Sequence, residues 1–278
     1  MEVKFWGVRG SIPTPGARTA RYGGNTSCLE LRLSDGTTVI LDAGSGIRQL
    51  GADDPPEGDV VIVLTHLHLD HVQGLLFFPP LFDPDRNVTV WGPPAFDGGL
   101  LERLARYMSA PLSPIEIREL PARVSFESAT TKFDIGPARI EAALVNHRGP
   151  TLGYRIVDGE RSLCYIPDHE PALGQDLARS DEEWISGLAL ARDVDLLIHD
   201  CQYTDGEYAS FLGFGHCALG DALAFAHRSA ARRVALFHHD PSHDDARLDA
   251  LAGEAEERRR GDAGAVELAR EAMTIEIE

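Results

Sequence analysis

Lysine is almost missing from this chain. Lys4 and Lys132 are the only two in 278 residues, and 44 Asp+Glu outnumber 26 Lys+Arg, for a formal charge of −18. So acidic a chain lacks the broad basic surface that displaces counterions from nucleic acid, and extended nucleic acid is not an expected partner. A small anion held by bound cations remains open. Long apolar runs are also missing. None approaches the roughly 20 residues of a membrane helix, so no membrane partner is expected. The start, Met1-Glu2-Val3-Lys4-Phe5-Trp6, lacks the basic opening and apolar stretch of a signal peptide and reads as a strand. The four cysteines, Cys28, Cys164, Cys201 and Cys217, form no CxxC pair, which removes a redox motif and a zinc knuckle. Free thiols and no export signal make the cytoplasm the expected compartment. No repeat or low-complexity linker divides the chain, and residues 1–278 read as a single domain.

What is present is concentrated in one stretch, Thr65-His66-Leu67-His68-Leu69-Asp70-His71. It follows Val60-Val61-Ile62-Val63-Leu64, a short β-branched run that reads as a buried strand. A strand ending in three imidazoles and a carboxylate delivers metal ligands to one rim of a sheet. Those ligand types suit zinc and similar divalent ions. His66 and His68, two apart, point the same way in extended chain, whereas Asp70 and His71 need a turn to face a second ion.

Further strands are expected at 2–6, 28–33, 38–42, 88–91, 115–120, 138–145, 151–157, 161–166, 195–199, 234–237 and 273–277. Asp35-Gly36 and Asp158-Gly159 serve as turns. Helices are expected at 72–78, at 98–108 with Leu101, Leu104 and Ala105 on one face, at 218–229 and at 244–260. The run Arg258-Arg259-Arg260 reads as the solvated end of the last helix. Strands then helices, twice over, suggest two similar halves, each a sheet with helices on its outer face.

More candidate ligands sit at strand ends: His147 after Val145, Asp168 after Ile166 and His238 after Phe237. Each alone reads more readily as a polar strand cap. Together they offer one set of three histidines and one of two carboxylates plus histidines. A carboxylate shared between two ions is a common device in two-metal hydrolases. His239, Asp240 and His243 crowd His238, which is preferred as ligand because it directly follows the strand; His239 remains the alternative. His199-Asp200 is open between orienting a ligand and a purely structural role.

This pattern resembles the metallo-β-lactamase superfamily of binuclear hydrolases. His66, His68, Asp70 and His71 match its HxHxDH signature, and Leu41-Asp42-Ala43-Gly44 matches its preceding aspartate motif. The resemblance implies an αββα sandwich of two mixed sheets with outer helices. It implies that His66, His68 and His147 hold one metal and Asp70, His71 and His238 the other, with Asp168 bridging. Two divalent ions are implied, zinc first, with manganese or iron open. The opening Gly7-Val8-Arg9-Gly10-Ser11, Asn146-His147 with Gly153-Tyr154-Arg155, and Gly215-His216 are similar to the phosphodiesterase branch, which includes tRNase Z and cyclic-phosphate phosphodiesterases. There the His216 equivalent assists the departing oxygen, and Asp70 binds metal and orients a bridging hydroxide. Here Cys217 stands where serine or threonine is usual, and His216 also reads as a plain helix-start residue.

His147 and Asp168 are 21 positions apart, enough for one hairpin and not for the tRNA-gripping arm of the tRNA-processing enzymes. The expected substrate is therefore a small phosphodiester, such as a cyclic nucleotide or cyclic phosphate. The alternatives are a lactonase or other carboxylic ester hydrolase with the same site, and a metal-binding sensor without turnover. Oligomeric state is not readable, and a homodimer stays open.

Overall fold

The computed structural model describes residues 1–96, 98–259 and 264–278. The strands run β1 Glu2–Gly7, β2 Cys28–Arg32, β3 Thr38–Leu41, β4 Val60–Val63, β5 Asn87–Gly92, β6 Arg123–Ser128, β7 Lys132–Ile135, β8 Ala138–Leu144, β9 Leu152–Asp158, β10 Arg161–Ile166, β11 Leu196–Asp200, β12 Arg233–Phe237, β13 Ala265–Leu268 and β14 Thr274–Glu276. The α-helices are α1 Gly46–Asp53, α2 Leu69–Val72, α3 Leu100–Tyr107, α4 Leu188–Ala191, α5 Asp205–Tyr208, α6 Leu219–Ser229 and α7 Asp245–Arg258.

Two seven-stranded sheets form, ordered β14-β1-β2-β3-β4-β5-β6 and β13-β12-β11-β10-β9-β8-β7. Each is antiparallel on one side and parallel on the other: β3 to β6 run parallel in the first, β10 to β13 in the second. The expected likeness of the two halves is therefore real. Phe5, Leu31 and Leu41 of one sheet share a buried cluster with Ile140, Tyr154, Tyr165 and Phe237 of the other, so the sheets pack face to face. Helices α1 and α3 cover the outer face of the first sheet, and α4, α6 and α7 that of the second. This is the αββα sandwich. No described helix is long and apolar enough to cross a membrane.

Several sequence expectations are met for the reasons given. Asp158 pairs with Arg161, so β9 and β10 form a two-residue hairpin with Gly159 at φ +64°. Helix α6 buries Ala222, Phe225, Ala226 and Ser229, and β14 closes the first sheet on β1. The four cysteines are buried and free.

Others need correction. Residues 115–120 are no strand but a 3-10 turn, Ile117–Glu119. Pro114 and Pro121 bracket the segment, and β6 takes the sheet edge. The helix expected at 72–78 divides into α2 and a 3-10 turn, Leu75–Phe77. The break is at Gly74, whose N–H donates to Ala43 O at 2.9 Å. In α3 the buried face carries Leu100 and Leu104, while Leu101 is exposed. Arg259 is buried rather than solvated, and Arg260 lies outside the described residues.

Candidate metal centre

Parallel strands place their carboxyl ends along one rim, where ligands of α/β sheets gather. Here the ends of β3, β4, β10, β11 and β12 lead into Asp42, His66, Asp168, Asp200 and His238. His147 comes from beyond β8, and α2 supplies the turn that brings Asp70 and His71 round. All seven residues expected as ligands converge, although they span positions 66 to 238.

They converge as two sets. His66, His68, His147 and Asp168 each place one ligand atom within 4.8 Å of the others, and so do Asp70, His71 and His238. Asp168 faces both. Its Oδ2 lies 3.7 Å from His66 Nε2 and 3.6 Å from His147 Nε2. Its Oδ1 lies 3.1 Å from His71 Nε2 and 3.4 Å from His238 Nε2. His238 Nε2 is 3.2 Å from Asp70 Oδ2 and 3.4 Å from His71 Nε2. Ligands at about 2.0–2.1 Å from a tetrahedral ion stand roughly 3.3–3.4 Å apart, so these are the edge lengths of coordination shells. His66 Nε2 is buried with no hydrogen-bond partner, which is costly unless something else, such as a cation, satisfies it. The donor set fits divalent metal.

The electrostatics agree. Burial foremost pushes His66, His68 and His147 toward neutral imidazole, the form that ligates. Burial alone would raise Asp168, but His238, His71 and His66 outweigh it and keep the group ionised. Asp70 is held far down in the same way by His71 and His238. Burial would lower His71, yet Asp168, Asp70 and Asp42 drive it well up. The pocket attracts positive charge.

Four of the five rings are also fixed from behind through a second nitrogen, His68 being the exception. His71 Nδ1 bonds Asp42 Oδ2 at 2.8 Å, His66 Nδ1 meets Thr65 Oγ1 at 3.0 Å, and His238 Nδ1 donates to Gln202 Oε1 at 3.0 Å. His147 Nδ1 donates to Gly215 O at 2.7 Å. Asp42 is a hub, accepting also from Thr65 N at 2.7 Å and from Tyr165 Oη at 2.9 Å. Tyr154 Oη donates to Leu64 O at 2.7 Å, so two tyrosines of the second sheet reach across the core, Tyr165 to brace the turn after β3 and Tyr154 the loop after β4. Sequence reading missed Gln202 and Tyr165. A tyrosine inside a buried strand was the one available signal, because its hydroxyl needs a partner.

Three open placements resolve. His239 Nε2 donates to Ala269 O at 2.7 Å and stands edge-on to Tyr22, and His243 pairs with Glu207, so His238 alone of that cluster faces Asp168. Asp200 Oδ2 lies 2.6 Å from His216 Nδ1. His199 instead bonds the buried His169 at 2.9 Å and stacks on Phe225. His216 stacks on His238 at 4.9 Å and forms a further group with Asp168 and His238. Burial would lower its pKa, but Asp200 outweighs this and raises it to about 9, so its ring carries charge at neutral pH. Cys217 N donates to Asp200 Oδ1 at 3.3 Å, so cysteine at that position leaves His216 with its carboxylate partner.

A family model described as Beta-lactamase superfamily domain matches residues 37–239, a span that runs from β3 to the last of the converging histidines. The chain belongs to the metallo-β-lactamase superfamily. It is 26% identical to a ribonuclease Z of Kineococcus radiotolerans over 292 residues, 91% of this chain and 87% of that one. A ribonuclease Z of Haloferax volcanii is 24% identical, with 86% and 84% covered. Human short-form tRNase Z superposes with a TM-score of 0.70 at 23% identity over all of both chains. Zinc-bound PqqB of Methylobacterium extorquens gives 0.71 at 17% identity, covering 99% and 100%. This superfamily member is thus a metallo-β-lactamase-fold hydrolase related to ribonuclease Z, with clusters suited to divalent metal.

Proposed function

We propose that this chain is a binuclear metal-dependent phosphodiesterase acting on a small phosphodiester, with a cyclic nucleotide or cyclic phosphate as the expected class. Residues 1–278 would act as one catalytic domain, since both sheets contribute to the rim. His66, His68 and His147 would hold one ion, Asp70, His71 and His238 the other, and Asp168 both. The observation that carries this is the placement of Asp168, with one carboxylate oxygen turned to each set of imidazoles. When bound, two such ions lower the pKa of water toward about 7 and neutralise phosphoryl charge. Zinc is the first choice, with manganese or iron as alternatives.

The chain's own groups do the rest. Asp70, held by Ser11 N–H at 2.7 Å, orients the nucleophile. His216, charged and backed by Asp200, hydrogen-bonds the phosphoryl group and gives its proton to the departing alkoxide. The names of the curated relatives support phosphodiester chemistry. A small substrate is supported by the interval between His147 and Asp168, filled by the β9–β10 hairpin alone, and by the acidity of the chain.

The test is a metal-reconstituted screen over cyclic nucleotides, linear phosphodiesters, lactones and thioesters. Phosphodiester turnover that needs metal and His216 is expected. Fast lactone turnover indifferent to His216→Ala would replace this reading with a lactonase. Two bound ions with no turnover at all would favour a sensor.

A further inference from the structure

His71, His238 and His216 are each braced by a side chain, but His147 leans on a backbone carbonyl, that of Gly215. Gly215 lies in the left-handed region at φ +94°, in a stretch after α5 that has neither helix nor strand. A carbonyl is only as well placed as its segment, so something must hold this one.

Glu170 does so. Its side chain is fully buried, two positions after Asp168. Its Oε2 accepts from Gly215 N at 2.9 Å, and its Oε1 from Gly213 N and Tyr208 Oη, both at 2.8 Å. All three donors belong to the one segment 208–215. Its own backbone N–H donates to Asn146 O at 2.9 Å, next to His147. The bonds close a ring: His147 to Gly215, Gly215 to Glu170, Glu170 to Asn146, and back along the chain to His147. The exposed Arg148 adds a weaker tie, its guanidinium 3.2 Å from Gly213 O.

We propose that Glu170 is the positioning residue for His147, fixing Gly215 so that the imidazole keeps its Nδ1–H tautomer and turns Nε2 toward His68 and Asp168. The proposal rests on the reading that His147 holds a metal. A buried anion suits the task because a carboxylate is acceptor-only and charge-assisted bonds are the stronger kind. Glutamine in its place keeps the volume but turns an amide donor against an N–H donor.

Glu170→Gln is compared with the wild-type protein by metal titration against a chromophoric chelator and by imidazole nitrogen NMR. The wild type should take up two ions. The variant should bind one of them roughly 10–100-fold more weakly, the range for lost partners behind a ligand. The other ion should be unchanged, and the His147 ring should lose its single tautomer. Gly215→Ala reaches the same joint independently, since its Cβ would come 2.5 Å from His147 Nδ1, and it should give the same selective loss; this variant decides if Glu170→Gln fails to fold. Wild-type affinities and tautomer in folded Glu170→Gln, or in Gly215→Ala, would overturn the proposal. A wild-type protein that never takes up a second ion would instead overturn the binuclear reading beneath it.

Discussion

An imidazole serves as a ligand only while its ring stays put, and most of the groups that hold these rings are ordinary residues with no metal-binding signature. Asp42, Thr65, Gln202 and the Gly215 carbonyl each take the second nitrogen of one ring. Gly10 is glycine because a Cβ there would come 2.5 Å from the His238 ring. Two outcomes belong to this scale. Asp168→Ala should lose both ions together, because its two oxygens face different sets, whereas His147→Ala should mainly weaken one. Elemental analysis of metal-replete protein checks this, and a persistent single equivalent in the wild type would sink the binuclear centre. His216→Ala should keep its metal but cleave a phosphodiester with a poor leaving group about 10²–10⁴-fold more slowly. With a nitrophenolate leaving group the loss should be smaller, since little protonation is needed. Full activity on the poor leaving group would return His216 to a helix-start residue.

At the scale of elements, the site is a property of strand ends. Asp42 and His238 directly follow β3 and β12 with φ of +59° and +61°. Such strained conformations persist where surrounding bonds over-determine them, and here they turn each side chain into the rim. The β9–β10 hairpin fills the whole interval between His147 and Asp168, leaving no segment there to reach a large substrate. Activity should therefore be much higher on small cyclic or activated phosphodiesters than on precursor tRNA. Parallel kcat/KM measurements on the two substrate types check this. A preference for tRNA would mean that a different surface of this fold grips the nucleic acid.

On the scale of the whole molecule, two sheets closing on one core bury histidines that have no metal to bind. His239 is driven down to about 3 by burial and His199 to about 4. An unfolded histidine titrates near 6.5, so below that pH the unfolded chain binds the extra protons. Their contribution is fully present above about pH 6.5 and is lost as pH falls toward 4 and then 3. For His239 it is on the order of several kcal/mol. Melting temperature against pH in chelator-treated protein should fall steeply below 6.5, and His239→Gln should flatten that fall. Parallel curves for variant and wild type would show that His239 is not buried neutral.

How much was legible follows from the range of the forces involved. The chain order alone carried the HxHxDH cluster, the strand-end placement of His147, Asp168 and His238, and the two-halves architecture, because side-chain periodicity and ligand chemistry are local. Local pattern misread residues 115–120, where alternation was real but no partner strand was there to bond, and it missed the break at Gly74, which answers to a carbonyl 31 positions earlier. It also left His238 and His239 as alternatives, since both follow the same strand. Only the tertiary structure separated them, by turning one toward Asp168 and the other toward Ala269. Asp200 behind His216, Tyr165 on Asp42 and Glu170 beneath Gly215 were likewise decided by packing. A hydrogen bond acts over about 3 Å, and which groups come that close across 16, 123 or 45 positions of chain is settled by how the two sheets meet.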